Sequence, residues 1–398
     1  MTSSSEEPSA PIRRPTSLPD DRMFDPVPGL PPEQWEFPAD DTDDEEPPAE
    51  EAAQPPAEKA AERPKGNRDD PLRKQILEFL RDHVGQEGPM IEADPTPIDG
   101  GSSNDVFSFS ASWFNGKKRM RRDMILRQEP SSPIVEADIR QESILLNALR
   151  ITDIPVPKVQ WSDLEPAWFD RRSVIFERAR GKADRAVLRD KDPLNLGLEG
   201  RTKLANRMAT LLANLHSLDP AAASLDMVMT YPDDAVMTQF GRWDYVIDKY
   251  SLDPEGRLQA ARDWLLVNQI RSPGYLSIVH GDFRPANVMV EFGRIAALLD
   301  WELAHLGDPA EDLGWYTCSI YRNEHFLEGW GVEEFFAQYV ESGGEEPEPE
   351  RLKYWQVFAV FKLAIIALRA ARNAETGGSD KPAPPVDRVI EQLNADIA

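Results

Sequence analysis

Cysteine is almost missing from this chain: Cys318 stands alone among 398 residues. An intrachain disulfide framework and a thiolate cluster for zinc are therefore both excluded. Basic charge is scarce as well, with 45 Lys and Arg against 70 Asp and Glu and a formal net charge of −25. That balance argues against general affinity for nucleic-acid phosphates or an anionic membrane, while leaving room for a local basic pocket that binds a phosphate. No apolar stretch of signal-peptide type opens the sequence. The most apolar run, residues 357–368, is too short to span a bilayer and is broken by Lys362. The expectation is a soluble, cytoplasmic protein with no nucleic-acid or membrane partner. No internal repeat is visible, and no two of the five histidines have metal-ligand spacing on one helical face, which disfavours a zinc hydrolase.

What is present divides near residue 67. The first 66 residues hold 14 prolines and 17 acids against 6 bases, −11 of the total charge, with little to bury. Such a segment cannot offset its ordering entropy and is expected to be a disordered, solvated tail. One short patch, Trp35-Glu36-Phe37 beside Pro31-Pro32, is the place where it would dock on a protein partner. The rest, 40% hydrophobicity overall being enough for one large or two moderate cores, reads as globular. Helical spacing of Ile76, Leu77, Leu80 and Val84 predicts a helix over 70–84. Strands are expected at 106–113, 124–128, 156–161 and 173–177, with Asn115-Gly116 as a hairpin turn and a helix over 134–149. The second half reads as helical, at 199–216, 256–266, 310–321, 332–341, 350–373 and 385–397. It is interrupted by short apolar runs at 278–282, 288–292 and 295–300 that end on or flank acids and amides.

Those runs carry the chemistry. His280-Gly-Asp282-Phe-Arg-Pro-Ala-Asn287 is followed, thirteen residues after Asn287, by Asp300 at the end of an apolar run. Asp282 and Asn287 share one loop between strand-like segments, and a hairpin would return Asp300 to their side. Two carboxylates and an amide oxygen then converge with no imidazole or thiolate as a partner ligand. Hard oxygens of this kind suit Mg²⁺ held together with substrate phosphates. One carboxylate remains to accept a proton from an attacking hydroxyl, which is the equipment for phosphoryl transfer. An isolated His-Gly-Asp is more often a turn, and an Asp before Trp at a strand end is often a cap. The weight rests on the joint spacing.

This block resembles the catalytic loop and metal-binding Asp of the kinase-like superfamily, in particular the aminoglycoside phosphotransferase family. Residues 300–314, Asp-Trp-Glu-Leu-Ala-His-Leu-Gly-Asp-Pro-Ala-Glu-Asp-Leu-Gly, are closer to one branch: phosphotransferase domains found alone in bacteria or fused to acyl-CoA dehydrogenases in animals. The resemblance covers roughly residues 90–375. It implies an α+β, two-lobed protein-kinase-like fold behind the 1–66 tail, with a sheet-rich nucleotide-binding lobe over 67–180 and a helical catalytic and acceptor-binding lobe over 181–398. It implies Asp282 as catalytic base and Asn287 and Asp300 as Mg²⁺ ligands. Asp308 and Asp312 match positions that buttress the loop, with Asp312 also able to face substrate. His280 is expected to hydrogen-bond backbone around the loop rather than transfer protons, and His216 to be a packed histidine.

On the same resemblance Gly100-Gly101-Ser102-Ser103-Asn104 matches the phosphate loop, with Gly100, Gly101, Ser103 and Asn104 as contacts, although it lacks the full spaced-glycine pattern of protein kinases. Arg127 stands where kinases place their phosphate-holding lysine, and Glu142 matches its helix partner. The Glu177 carbonyl and the Ala179 N–H match the connector that binds the purine. The activity implied is transfer of the γ-phosphoryl group of ATP or GTP, which the sequence does not separate, to a hydroxyl of a small-molecule acceptor. The branch points towards a hydroxylated acid or acyl compound. The alternative is a catalytically weak kinase-like nucleotide-binding or regulatory protein, favoured by the degenerate glycine loop and Arg127. A protein kinase is disfavoured because Asp300-Trp-Glu302 stands in place of Asp-Phe-Gly.

Overall fold

Alternation of side chains builds the first half. The computed structural model describes residues 70–398 apart from 86–87, 99–104, 131–132, 136, 222–224, 226–228 and 377–384; the described residues lie in a compact unit, Pro64–Ala398. The expected tail falls outside them. A long antiparallel hairpin joins β2 (Asp105–Asn115) to β3 (Lys118–Gln128), flanked by β1 (Met90–Pro97), β4 (Val159–Asp163) and β5 (Ser173–Glu177) in the order β1-β2-β3-β5-β4. The hairpin loop is Gly116-Lys117 rather than Asn115-Gly116, because Asn115 pairs with Lys118 and the left-handed position, φ +60°, falls on Gly116.

Period two then sorts the two faces. Met124, Leu126 and Ile175 pack with Ile76, Phe79 and Leu80 of helix α1 (Pro71–Val84). Ile125, Val174 and Phe176 pack with Leu145, Leu146 and Leu149 of α2 (Ile139–Leu149). Arg127 has the parity of Ile125 and so emerges on the α2 side. The α2 helix starts five residues later than its expected start. Asp138 caps it by accepting the Arg140 N–H at 2.9 Å, while Ile134 and Val135 are drawn into a different cluster of apolar side chains.

The second half is helical: α3 (Gly197–His216), α4 (Ala235–Tyr250), α5 (Gln259–Val267), α6 (Ala310–Thr317), α7 (Arg322–His325), α8 (Val332–Glu341), α9 (Pro349–Glu375) and α10 (Val386–Ile397). This sheet-rich half followed by a helical half is the two-lobed kinase-like α+β fold. The α4 helix was not expected from the sequence. Its buried Val236, Phe240, Trp243 and Ile247 recur at helical spacing around the weak helix former Gly241, and Asp234 caps it. The expected helix over 310–321 stops at Thr317, since Cys318 is extended, and resumes as α7. By length and composition α9 could cross a membrane, yet 72% of its most apolar stretch is buried inside the fold, where it packs against α4, α5, α6 and α10.

Two short ladders interrupt the helices. Strand β6 (Ser277–Val279) pairs with β9 (His305–Gly307), and β7 (Val288–Glu291) with β8 (Arg294–Leu298). They hold the 280–287 loop and the 299–304 segment side by side.

Candidate active site

The loop after β6 is shaped by its glycine. Gly281 has φ +81°, and a Cβ there would sit 2.7 Å from the Leu303 carbonyl, so the loop can lie against the 299–304 segment only without a side chain. His280 is fully buried; its Nδ1 accepts the Asp282 N–H at 3.2 Å, and its Nε2 donates to the Leu299 carbonyl at 3.0 Å. Burial depresses its pKa and keeps it neutral, which suits this donor and acceptor pair. Asp312 receives the N–H groups of His280 (2.7 Å) and Gly281 (2.8 Å) together with His216 Nε2 (3.1 Å). Burial opposes its charge, but the His216 and His280 contacts outweigh burial and hold its pKa below the usual range. Asp308 accepts the Ala310 N–H (3.0 Å), Trp355 Nε1 (2.7 Å) and Arg351. Both acids spend their oxygens on the fold, so Asp312 does not face a substrate.

From behind, the loop is held by a buried lysine. Lys362 of α9 donates to the Gly281 carbonyl at 2.7 Å, lies 3.5 Å from Glu311 Oε1 and sits over the Trp315 ring at 4.7 Å. Burial lowers its pKa, with Glu311 pulling the other way.

In front, the three residues singled out by spacing come together. Pro285–Asn287 forms a single 3₁₀ turn. From it the Asn287 amide donates to both the Asp282 carbonyl and Asp282 Oδ2, each at 2.8 Å. That fixes the amide orientation and leaves its oxygen as an acceptor. The Leu299 N–H bonds the Asn287 carbonyl at 2.7 Å, so the β7–β8 hairpin returns Asp300 beside the loop. Asp300 has φ +67°, a left-handed conformation that strains a non-glycine residue and is characteristic of functional positions. Its charge acts on Arg127, Glu142, Asp282 and Arg284 alike.

In one cluster Asp282, 8% exposed, faces Arg284, whose Nε lies 3.0 Å from Oδ1 and 3.2 Å from Oδ2. The first approach lacks hydrogen-bond alignment, so Asp282 Oδ1 is a buried acceptor with no donor among the described residues. Burial pushes the Asp282 carboxyl up to about 6, with Arg284 pulling it down and Asp300 adding to the rise. In the other cluster Arg127 Nη1 donates to Glu142 Oε1 at 2.5 Å, and Nη2 to Glu302 Oε2 at 3.0 Å. Burial opposes the Arg127 charge, and the nearby carboxylates more than restore it.

Four carboxylates, Asp282, Asp300, Glu142 and Glu302, thus gather around Arg127 and Arg284, and burial raises the pKa of Glu142 against its pairing with Arg127. Among the described residues no group of three His, Cys, Asp or Glu side chains could hold a metal by itself. Asn287 and Asp300 offer two hard oxygen donors, a set that would suit Mg²⁺ held together with phosphates and water.

The expected connector is docked onto β3 and β7. Glu177 closes β5, its carboxylate pairing with Lys158 at 3.0 Å, and the Arg178 N–H reaches the Asp123 carbonyl at 2.9 Å; Ala179 follows. At Gly181, φ +90°, a Cβ would fall 2.3 Å from the Val290 carbonyl, where Lys182 and Val290 exchange backbone bonds at 3.0 and 2.9 Å. Gly100, Gly101, Ser103 and Asn104 lie outside the described residues, beyond the end of β1 and before β2. Three participants escaped the sequence reading: Arg284, Glu302 and Lys362. Only Lys362 carried a signal, as a charge inside an apolar run.

Comparison with known proteins follows the same outline. The sequence model of the phosphotransferase enzyme family matches residues 94–355. The mouse protein acyl-CoA dehydrogenase family member 10 is 25% identical over 348 residues, covering 83% of this chain and 30% of the relative. Mouse acyl-CoA dehydrogenase family member 11 is 24% identical over 330 residues, covering 78% and 41%. The chain therefore spans less than half the length of these relatives. Among solved structures, a Ralstonia eutropha chain assigned as an aminoglycoside phosphotransferase superposes with a TM-score of 0.61 at 20% identity, covering 81% of this chain and 97% of that one. An aminoglycoside phosphotransferase solved with ADP and hygromycin B gives 0.51 at 16% identity, covering 81% and 98%.

Proposed function

The chain belongs to the phosphotransferase enzyme family, and from that premise we propose that it moves the γ-phosphoryl group of ATP to a hydroxyl of a small molecule. The observation that carries the reading is the Asp282–Asn287–Asp300 constellation, with one buried Asp282 oxygen left without a donor among the described residues, beside two oxygens suited to Mg²⁺. Asp282 accepts the proton of the acceptor hydroxyl as that oxygen bonds to the γ-phosphorus and the bond from phosphorus to the β–γ bridging oxygen breaks, releasing ADP. Asn287 and Asp300 would hold Mg²⁺, which would supply neutralisation of the phosphate charge. Arg127 grips the nucleotide phosphates by its planar fork, and Arg284, beside Asp282, offsets charge on the group in transit. The 100–104 loop supplies further phosphate contacts through Gly100, Gly101, Ser103 and Asn104, and the Glu177 carbonyl and Ala179 N–H hold the purine. The acyl-CoA dehydrogenase relatives make hydroxylated acids and acyl compounds the acceptors to screen first.

The test separates the two aspartates. Asp300→Asn should lose most of the melting shift produced by Mg-ATP, a shift worth about 2.7 kcal/mol at a hundredfold excess over Kd. Asp282→Asn should keep that shift while turnover falls by roughly 10²–10⁴, the range for a general base. The reverse pattern would exchange the two assignments. Mg-ATP binding without turnover on any hydroxyl acceptor would favour a nucleotide-binding protein.

A further inference from the structure

Arg127 is held from two directions. Glu142, which takes Nη1, belongs to α2, whereas Glu302, which takes Nη2, lies two residues beyond Asp300. The three side chains are only 12, 5 and 6% exposed. A charge-assisted bond so shielded from water is stronger and more directional than a surface pair. With Glu142 alone, the guanidinium could swing about one contact. With both, its plane is set, two of its five N–H groups are committed, and the others remain for a phosphate. A lysine ammonium presents its donors from a single atom and has no plane to set, which accounts for arginine at this position.

We infer that Glu302 is a positioning residue for the phosphate clamp, fixing the Arg127 guanidinium and making it one unit with the Asp300 segment. The inference rests on the phosphotransfer reading. It differs from a metal-ligand role, in which Glu302 would turn its carboxylate to the ion beside Asp300. Glu302→Gln keeps the size of the side chain, and Glu302 borders a cavity of about 470 Å³ shared with Gln141, Leu145 and Gln239, so the variant should fold.

Full-length chains carrying Glu302→Gln, Arg127→Lys and both together are compared for KM of ATP, kcat and Mg²⁺ requirement at saturating ATP. Glu302→Gln should raise the ATP KM about tenfold, as loss of one charge-assisted contact implies, with a smaller fall in kcat and an unchanged Mg²⁺ requirement. Added to Arg127→Lys it should cost little more, because the fork it positions is already gone. Additive effects of the two substitutions, or a Mg²⁺ requirement that rises in step with the ATP KM, would overturn the inference and make Glu302 act on the metal. A wild-type chain with no Mg-ATP melting shift would remove the phosphotransfer reading and this inference with it. A normal shift and normal KM in every variant would overturn the inference alone.

Discussion

At Asp282, burial raises the carboxyl pKa to about 6, against Arg284 and with Asp300. A base must be ionised to act, so kcat/KM should fall tenfold per pH unit below about 6 and level off above it, as a pH profile of acceptor phosphorylation would show. The stability sign follows from the same shift. The folded carboxyl binds its proton more tightly than an unfolded Asp, whose pKa is near 3.8. Its favourable contribution is therefore complete below about pH 4 and is lost as the pH rises towards 6. At pH 7 the fold carries a buried charge that an amide would not. Asp282→Asn should thus stabilise the fold at pH 7 by on the order of 1–3 kcal/mol, seen as a higher melting temperature, and the advantage should vanish at pH 4. Thermal melts of both chains across this range decide it. The meeting of Asp282, Asn287 and Asp300 was legible in the sequence because one loop and one hairpin return join them. Arg284 and Glu302 were not, since their importance lies in what they touch.

Among the elements, α9 shows how a helix can serve the site from a distance. Its apolar residues bury themselves around α4, α5, α6 and α10, and Lys362 is carried into that core to meet Gly281 and Glu311. Lys362→Met would leave the Gly281 carbonyl without its Lys362 bond and strip Glu311 of its lysine counter-charge, leaving it the His305 Nε2 contact at 3.0 Å. Unfolding by denaturant at pH 7 should show a loss of about 3 kcal/mol or more, the usual result of breaking a buried ion pair. Adding Glu311→Gln should recover part of it, because the orphaned charge is then removed as well. From the sequence, Lys362 was only a break in an apolar run. The α4 helix, whose core pattern surrounds a glycine, and the early end of α6 were likewise settled by packing rather than propensity.

Across the whole molecule, 17 acids and 14 prolines in the first 66 residues contrast with the packed helices beyond them. Because those residues offer little apolar surface to bury, deleting them should move the melting temperature by less than about 2 °C; a larger fall would mean that Trp35 and Phe37 find a place on the fold. Local periodicity and spacing by themselves determined the alternation of the hairpin strands, most helices and the meeting of Asp282, Asn287 and Asp300. Each depends on neighbours in sequence or on a single hairpin return. The tertiary structure alone decided which carboxylates surround Arg127, which amine supports the loop from behind and which Asp282 oxygen stays free. Those contacts join residues as far apart as Arg127 and Glu302 or Gly281 and Lys362. No local rule relates such pairs; they meet only once the helices and sheet have buried their apolar faces against one another.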